Sequence, residues 1–220
     1  MSGESLNDRV YRKIKEDIMY LVLEPGTAAS VQKLADTYGC SRTPVREAVI
    51  RLQQEGLVLI YPQARTNISA ISLNRIHEER FIRNSLELSM VDSFIKNCSQ
   101  LTIDTLENVI GIQRRAMERG NYREFFDMDD RFHRIMFETA GQYLACDFIE
   151  SSNTHYSRLR FLSIKHWGFN PNILSEHEAI VDAARRRDGD YMREVLYKHL
   201  SKSQAYMWDL RKIYPAYFCE

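Results

Sequence analysis

The sequence lacks any apolar run of the roughly 20 residues that a membrane-spanning helix needs, and its first residues lack the basic and then apolar pattern of a secretion signal. Its four cysteines are scattered without a CxxC pair, which argues against a zinc ribbon or a disulfide framework and fits reduced thiols. We therefore expect a cytoplasmic protein without a membrane partner. A length of 220 residues, 44% of them hydrophobic and 27% charged, is enough for one large globular domain or two smaller ones.

The sequence also lacks an excess of charge of either sign, because 30 Lys and Arg balance 30 Asp and Glu. Non-specific binding to DNA phosphates depends on positive charge, so the total gives no support for a DNA-binding protein. The local balance differs, since residues 41–66 contain four arginines and two glutamates, a net charge of +2. Arginine binds guanine edges and phosphates through two hydrogen bonds at once. The rest of the chain has a net charge of −2, which leaves room for a second domain that does not contact DNA.

Three helices are predicted in the first 56 residues. The first has apolar residues at steps of four and three and ends at Glu24-Pro25-Gly26. The second begins after Ser30 as its N-cap and ends at Gly39, a residue suited to a left-handed C-cap. In the third, Thr43 is the expected N-cap, and Pro44 takes the first helical position, where its missing N–H costs nothing.

The pattern then changes to two strands, at 57–61 and 66–71, joined by a turn at 62–65. Helix, short helix, glycine turn, helix and hairpin is the order of a winged helix-turn-helix. In that fold the third helix lies in the major groove and its N-terminal residues reach base edges. The candidate DNA-binding residues at that end are Ser41, Arg42, Thr43 and Arg46. The alternative is a small helical domain whose arginines are only solvated.

Four segments of this region, 24–26, 34–35, 39–48 and 55–58, form a pattern that resembles the DNA-binding domain of GntR-family transcription regulators. The resemblance covers about residues 6–71 and is most specific at 41–48, which reads SRTPVREA. It implies a homodimer on a palindromic operator in double-stranded DNA, with the wing tip in or near the minor groove. One departure is Arg65, which stands where members usually have a wing glycine. Its guanidinium is a candidate contact to phosphate or to a narrow minor groove.

After Ser72 the sequence predicts helices almost to the end and no strands. The expected fold class is therefore mainly α, with an N-terminal winged helix-turn-helix at 1–72 and an all-α six-helix bundle at 73–220. The six helices are expected at 75–97, 102–118, 121–140, 144–166, 175–187 and 191–214. Ser175 and Glu178 form a predicted capping box at the start of the fifth helix.

Four side chains of this second region are candidate metal ligands. Asp129 and His133 lie four residues apart in a strongly apolar segment, so they share one helix face. His177 and His199 lie on the last two helices, next to apolar positions. Imidazole and carboxylate are ligands for divalent metals, and an all-helical domain can bring three such helices to one point. The alternative is that each histidine is an ordinary core or surface residue.

Further motifs accompany these four residues: Arg83 with Leu86-Glu87, Asp129-x-x-Phe132-His133, Arg158-x-Arg160, Glu176-His177-x-x-Ile180 and His199. Together they resemble the FCD domain that accompanies this DNA-binding module in the FadR-like branch of the GntR family. The resemblance covers about residues 74–210. It implies that the aspartate and three histidines hold a divalent metal ion, for which zinc or nickel is expected.

The expected function is that of a ligand-responsive transcription regulator whose effector, a small carboxylate, docks on the metal. Arg83 is a candidate second anchor, because guanidinium binds a carboxylate through two bonds, and its alternative role is an ion pair with Glu87. Arg158 and Arg160 are further effector candidates, although residues two apart on a helix diverge by about 200°. Rival hypotheses are a metal-dependent hydrolase or oxygenase and an architectural DNA-binding dimer. The sequence does not distinguish repression from activation.

Overall fold

The structure, a computed structural model, describes residues 5–61 and 65–220, except for the side chains of residues 65 and 203–205. Two compact units make up the chain. Unit 1 comprises the described part of Met1–His77, together with Thr154–Leu159 and Asp209–Glu220. Unit 2 comprises Glu78–Asn153 and Arg160–Trp208. The sequence analysis divides the chain once, at residue 72, whereas unit 1 also includes two segments from later in the sequence. Among the described residues, no helix is both long and apolar enough to cross a membrane.

Unit 1 has the predicted order of a winged helix-turn-helix. Its elements are α1 (Leu6–Met19), α2 (Val31–Tyr38), α3 (Arg42–Gln54), β1 (Val58–Tyr61) and β2 (Arg65–Ile68). The strands β1 and β2 pair in antiparallel fashion, with Val58 opposite Ile68. We call this hairpin the wing. Its predicted turn at 62–65 lies outside the described residues, apart from the backbone of Arg65.

The core of unit 1 follows from the apolar spacing of its helices. Val10, Ile14 and Ile18 recur on one face of α1 and are buried with the apolar face of α3. The predicted caps of α2 are confirmed: Ser30 Oγ accepts the Lys33 N–H at 3.2 Å, and Gly39 has φ +62°.

The predicted start of α3 is wrong by two residues. Thr43 is not the N-cap, because the helix begins at Arg42 and Ser41 occupies the cap position. Pro44 therefore lies in the first turn rather than at the first position. A proline is tolerated there because the N–H groups of the first turn have no intrahelical partner.

Unit 1 also contains a second sheet, which consists of two short strands. The strand β3 (Ile71–Ser72) pairs in parallel with β4 (Phe218–Cys219), which follows a short 3-10 turn. The prediction that no strand follows residue 72 is therefore wrong. Two-residue strands have too few positions to show an alternating pattern, and the partner lies far away in the sequence.

The remaining helices follow one another from residue 73. They are α4 (Leu73–Ser89), α5 (Val91–Asn97), α6 (Gln100–Glu118), α7 (Tyr122–Ala140), α8 (Tyr143–Ser152), α9 (Thr154–Trp167), α10 (Asn172–Arg186), α11 (Gly189–Ser201) and α12 (Ser203–Ile213). Three of the six predicted helices are thus each divided in two, at Met90, Asn153 and Lys202. The predicted capping box of the fifth helix is wrong, since α10 begins at Asn172 and Ser175 Oγ donates to the Asn172 carbonyl at 3.0 Å.

A buried histidine in unit 1 makes its stability depend on pH. The Ser72 N–H donates to His155 Nδ1 at 2.9 Å. Burial, aided by the positive charges of Arg158 and Arg75, lowers the pKa of His155 from 6.5 to about 3. The unfolded chain therefore takes up this proton at a higher pH than the folded chain does. The stabilisation is complete above about pH 6.5 and is lost as the pH falls toward 3.

We expect His155→Asn to weaken the acid dependence of the unfolding free energy. Asparagine offers an acceptor oxygen near the position of Nδ1 but does not titrate. The wild-type protein should lose up to about 1.4 kcal/mol more per pH unit than the variant between about pH 6 and 4. Urea unfolding over a series of pH values measures this difference. Equal slopes for the two proteins would contradict the assignment.

Candidate functional site

The N-terminal end of α3 presents the predicted DNA-binding residues to solvent. Ser41, Arg42, Thr43 and Arg46 are all exposed, while Val45, Ala48 and Val49 on the opposite face are buried. In winged helix-turn-helix folds this end of the third helix is the part that meets the major groove. Arg65 pairs with Tyr61 through its backbone, and its side chain is outside the described residues.

Arg51, although its side chain is 45% exposed, forms contacts with α1. Its Nη1 lies 2.8 Å from Asp8 Oδ1, and its guanidinium carbon lies 3.7 Å from the centre of the Tyr11 ring. The ion pair and the ring contact fix Arg51 against α1. Of the four arginines at 41–66, Arg51 is thus paired within the unit, Arg42 and Arg46 are exposed near the start of α3, and the side chain of Arg65 lies outside the described residues.

Unit 2 brings the four predicted metal ligands together. Each of Asp129, His133, His177 and His199 offers one ligand atom, and the four atoms lie within 4.8 Å of one another. They come from α7, α10 and α11. His133 Nε2 is 3.2 Å from His199 Nε2, and His177 Nε2 is 3.5 Å from Asp129 Oδ1. Phe132 stacks on the His177 ring at 4.0 Å and helps to fix its plane.

The outer nitrogen of each imidazole faces an acceptor oxygen. His177 Nδ1 lies 3.0 Å from Gln113 Oε1, and His199 Nδ1 lies 2.9 Å from Glu176 Oε2. His133 Nδ1 is 2.6 Å from one oxygen of Glu87, although the two atoms are not aligned for a hydrogen bond. These oxygens favour the tautomer with the proton on Nδ1, which leaves Nε2 with a lone pair.

His133 Nε2 and His199 Nε2 lie within hydrogen-bond distance of each other, whereas the other two inner atoms, His177 Nε2 and Asp129 Oδ1, are acceptors. His177 Nε2 is buried without a hydrogen-bond partner among the described residues, and it faces an Asp129 oxygen. Lone pairs that face one another in a buried site repel unless a cation lies between them. Three imidazole nitrogens and one carboxylate oxygen suit a divalent first-row metal. The donor set therefore fits the metal that the sequence predicts.

The charges around the cluster keep its ligands in their binding forms. Burial raises the pKa of Asp129, but the positive charge of Arg160 outweighs it and holds that pKa well below its usual range. Burial lowers the pKa of His177 well below 6.5, and it also lowers the pKa of His133 despite the opposing charge of Glu87. A carboxylate and neutral imidazoles are the forms that bind metal.

Two of the three predicted effector arginines lie near these ligands. Arg160 forms ion pairs with Asp129 and, at 2.8 Å, with Asp130. Arg83 Nε donates to Glu87 Oε1 at 2.6 Å, so the ion pair named above as its alternative role is present. Arg158 belongs to unit 1, where its guanidinium donates to the Ser69 carbonyl. The structure does not place it in this cluster.

Sequence reasoning missed the residues that orient the histidines. Gln113 lies alone on α6, and no motif marks it. Glu176 belonged to a recognised motif with His177, but the pattern did not connect it with His199. In the structure it binds His199 and forms an ion pair with Lys202. Glu87 belonged to a recognised motif, but the pattern did not connect it with His133.

Comparisons with known proteins agree with the fold and with its two parts. Residues 6–68 match the family model of bacterial regulatory proteins of the gntR family, and residues 80–202 match that of the FCD domain. The chain is 30% identical over 217 residues to the HTH-type transcriptional repressor RspR of Escherichia coli (strain K12), covering 99% of this chain and 95% of RspR.

Solved structures share the same fold. That of E. coli McbR/YncC is similar with a TM-score of 0.80 at 20% identity, covering 94% of this chain and 99% of the other. A transcriptional regulator GntR from Rhodococcus sp. RHA1 has a TM-score of 0.79 at 17% identity, covering the same shares. The exposed recognition helix, the family matches and the near full-length similarity to RspR agree with one another. The chain therefore belongs to the GntR family of DNA-binding transcription regulators and carries an FCD domain.

Proposed function

We propose that this regulator is ligand-responsive: its FCD domain binds a divalent metal through Asp129, His133, His177 and His199, and a small organic acid that binds there changes its affinity for the operator. The observation that carries the proposal is the convergence of three imidazole nitrogens and one carboxylate oxygen within 4.8 Å of one another. Gln113 and Glu176 bind the outer nitrogens of His177 and His199, and a Glu87 oxygen faces that of His133. Zinc and nickel both fit a donor set of three nitrogens and one oxygen.

The effector class follows from the chemistry of the same site. With four protein ligands, a divalent ion able to take five or six ligands would accept an additional oxygen donor, such as a carboxylate. Arg160 is the better placed arginine for a second contact, since its side chain is 12% exposed while that of Arg83 is 5% exposed. A bound acid would then compete with Asp130, whose side chain is 43% exposed, for the Arg160 guanidinium.

The DNA partner is a palindromic operator bound by a homodimer. One winged unit presents one recognition helix, whereas a two-fold site presents two half-sites, so two copies of the chain are required. Within each copy, Ser41, Arg42, Thr43 and Arg46 would face the major groove, and Arg65 would follow the phosphate backbone or the minor groove. The name of RspR as a repressor supports repression as the outcome of binding.

Removal of the metal tests the proposal. Protein stripped with EDTA and protein reloaded with Zn²⁺ or Ni²⁺ would be heated with a panel of carboxylic acids. An acid at 100 times its Kd should stabilise the metal-loaded protein by about 2.7 kcal/mol and leave the stripped protein unchanged.

The same acid should change the affinity for a duplex that the wild-type protein has selected from a random-sequence library. Linkage requires the reverse effect as well, so the duplex should change the affinity for the acid by the same factor. Operator affinity that is indifferent to every acid and to chelation would contradict a ligand-responsive regulator. A protein that takes up no metal would contradict the metal site itself.

A further inference from the structure

Residues 69–72 follow the wing in the sequence, and we call them the connector. It follows β2 directly and leads into α4. The first residue, Ser69, is only 4% exposed, and its N–H donates to the Leu57 carbonyl at 3.0 Å, just before β1 begins. Ser69 therefore lies at the base of the wing, where both strands of the hairpin meet the core of unit 1.

A fully buried arginine holds this base. Arg158 has no exposed surface, and its Nη1 donates to the Ser69 carbonyl at 2.7 Å. Its Nη2 reaches Ser69 Oγ at 3.2 Å, and its Nε donates to the Thr154 carbonyl at 3.2 Å. The planar guanidinium thus joins the first turn of α9 to the connector in a defined geometry. Burying such a charge is costly, which makes an apolar residue the simpler choice for packing alone.

The other end of the connector is held by a segment from the end of the sequence, residues 215–220. Its strand β4 pairs with β3, and Ser72 Oγ donates to the Glu220 carbonyl at 3.1 Å. The Ser72 N–H is occupied by His155 Nδ1, which comes from the same turn of α9 as Arg158. Both ends of the connector are thereby bonded to residues far from it in the sequence.

The 215–220 segment also contacts the loop that borders the wing. A Cβ placed on Gly26, where φ is +78°, would lie 2.7 Å from the Ala216 carbonyl oxygen, so the close approach requires glycine. Burial and a hydrogen bond to Glu24 raise the pKa of Tyr217 to about 12. The Gly26 N–H donates to the Ile68 carbonyl at 3.0 Å, which ties this loop to β2.

We propose that Arg158 and the 215–220 segment are positioning elements for the wing, and that they set the angle at which the hairpin meets the minor groove beside the site read by α3. The wing is held at its base by Arg158 and at its side through the Gly26 loop. The DNA-reading unit is therefore a composite of residues from three regions of the sequence. Loss of either element frees the wing while α3 keeps its own core contacts.

Arg158→Met tests this proposal, because methionine fills much of the same space without donors or charge. The variant would be compared with wild-type protein at a temperature where circular dichroism shows both to be folded. The probe is the duplex selected by the wild-type protein, used without metal or acid, so that the result is independent of the metal site. We expect at least a tenfold loss of affinity.

Footprinting separates a positioning role from a general loss of stability. Hydroxyl-radical protection of the minor groove by the wing should disappear, while protection of major-groove guanines from dimethyl sulfate should remain. A chain ended after Tyr214 should show the same pattern, and Arg158→Lys should restore part of the affinity. As a matched control, Arg185→Met removes an exposed arginine of unit 2, paired with Glu107 at 2.6 Å, and should leave both footprints unchanged.

Two results would overturn the proposal. One is an Arg158→Met protein that melts at a lower temperature yet binds with wild-type affinity and wing protection when folded. The other is a wild-type complex that shows no minor-groove protection next to the α3 contacts. If Arg158→Met does not fold, the shortened chain provides the same comparison. Ser72→Ala provides a second one, since it removes the bond to Glu220 together with the bond from the Arg75 N–H to Ser72 Oγ.

Discussion

His177→Ala is expected to lower the affinity for a divalent metal by at least about 100-fold while unit 1 stays folded. His177 is fully buried and offers the one Nε2 of the cluster that is without a hydrogen-bond partner among the described residues. Loss of residues that only orient a ligand typically costs 10- to 100-fold in metal affinity, and loss of a ligand should cost more. Competition with a chromophoric chelator measures the change.

The metal affinities of two further variants provide a comparison for this loss. Glu176→Gln keeps a side chain beside His199 but removes the carboxylate, so we expect a loss between that of His177→Ala and none. His166→Ala removes an exposed histidine of the same unit and should bind metal like the wild-type protein. Circular dichroism reports whether each variant is folded. Full metal occupancy in a folded His177→Ala protein would refute the ligand assignment.

Arg46→Ala is expected to weaken specific DNA binding by about 1 to 3 kcal/mol, or about 5- to 150-fold. The side chain is exposed at the N-terminal end of α3, where a recognition helix reaches base edges. If Arg46 binds a guanine, the loss should be confined to operators that keep that base pair. If it binds a phosphate, binding should weaken about equally for all sequences, and the slope of affinity against salt should fall by about one.

Arg51→Ala is the matched control for this measurement, because it removes an arginine of the same helix. Arg51 is held by Asp8 and Tyr11, so its loss should lower stability more than DNA affinity. Fluorescence anisotropy at one fixed salt concentration compares the two variants. An unchanged affinity and footprint for Arg46→Ala would remove this residue from the recognition surface.

The parts of the fold that could be predicted are those encoded by short-range patterns. The apolar spacing of α1, the caps of α2 at Ser30 and Gly39, and the strand pattern of the wing depend on residues close in sequence. In the same way, the spacing of four residues between Asp129 and His133 placed two candidate ligands on one helix face. Their meeting with His177 and His199 was expected from the resemblance to the FCD domain.

The parts that could not be predicted depend on contacts between distant segments. Met90 and Lys202 stand at divisions between helices, yet both have helical dihedral angles. Neither division coincides with a glycine or proline, so the sequence at these two positions does not indicate a helix end. Gln113 orients His177 from a separate helix, and nothing in its sequence neighbourhood indicates this contact. Arg158 was expected to bind an effector because it formed a motif with Arg160, yet its guanidinium donates to the Ser69 carbonyl in unit 1.

The parallel pairing of β3 with β4 has a consequence for the time course of synthesis. The ribosome makes the recognition helix early, but the strand that pairs with the connector belongs to residues 209–220 of the same unit. Domains usually fold in the order of their synthesis, N-terminal first. Here unit 1 cannot be completed until the whole FCD domain has been translated. A nascent or prematurely terminated chain would therefore have a recognition helix but a wing that the 215–220 segment does not hold in position. Such a chain would bind the operator more weakly than the full-length protein.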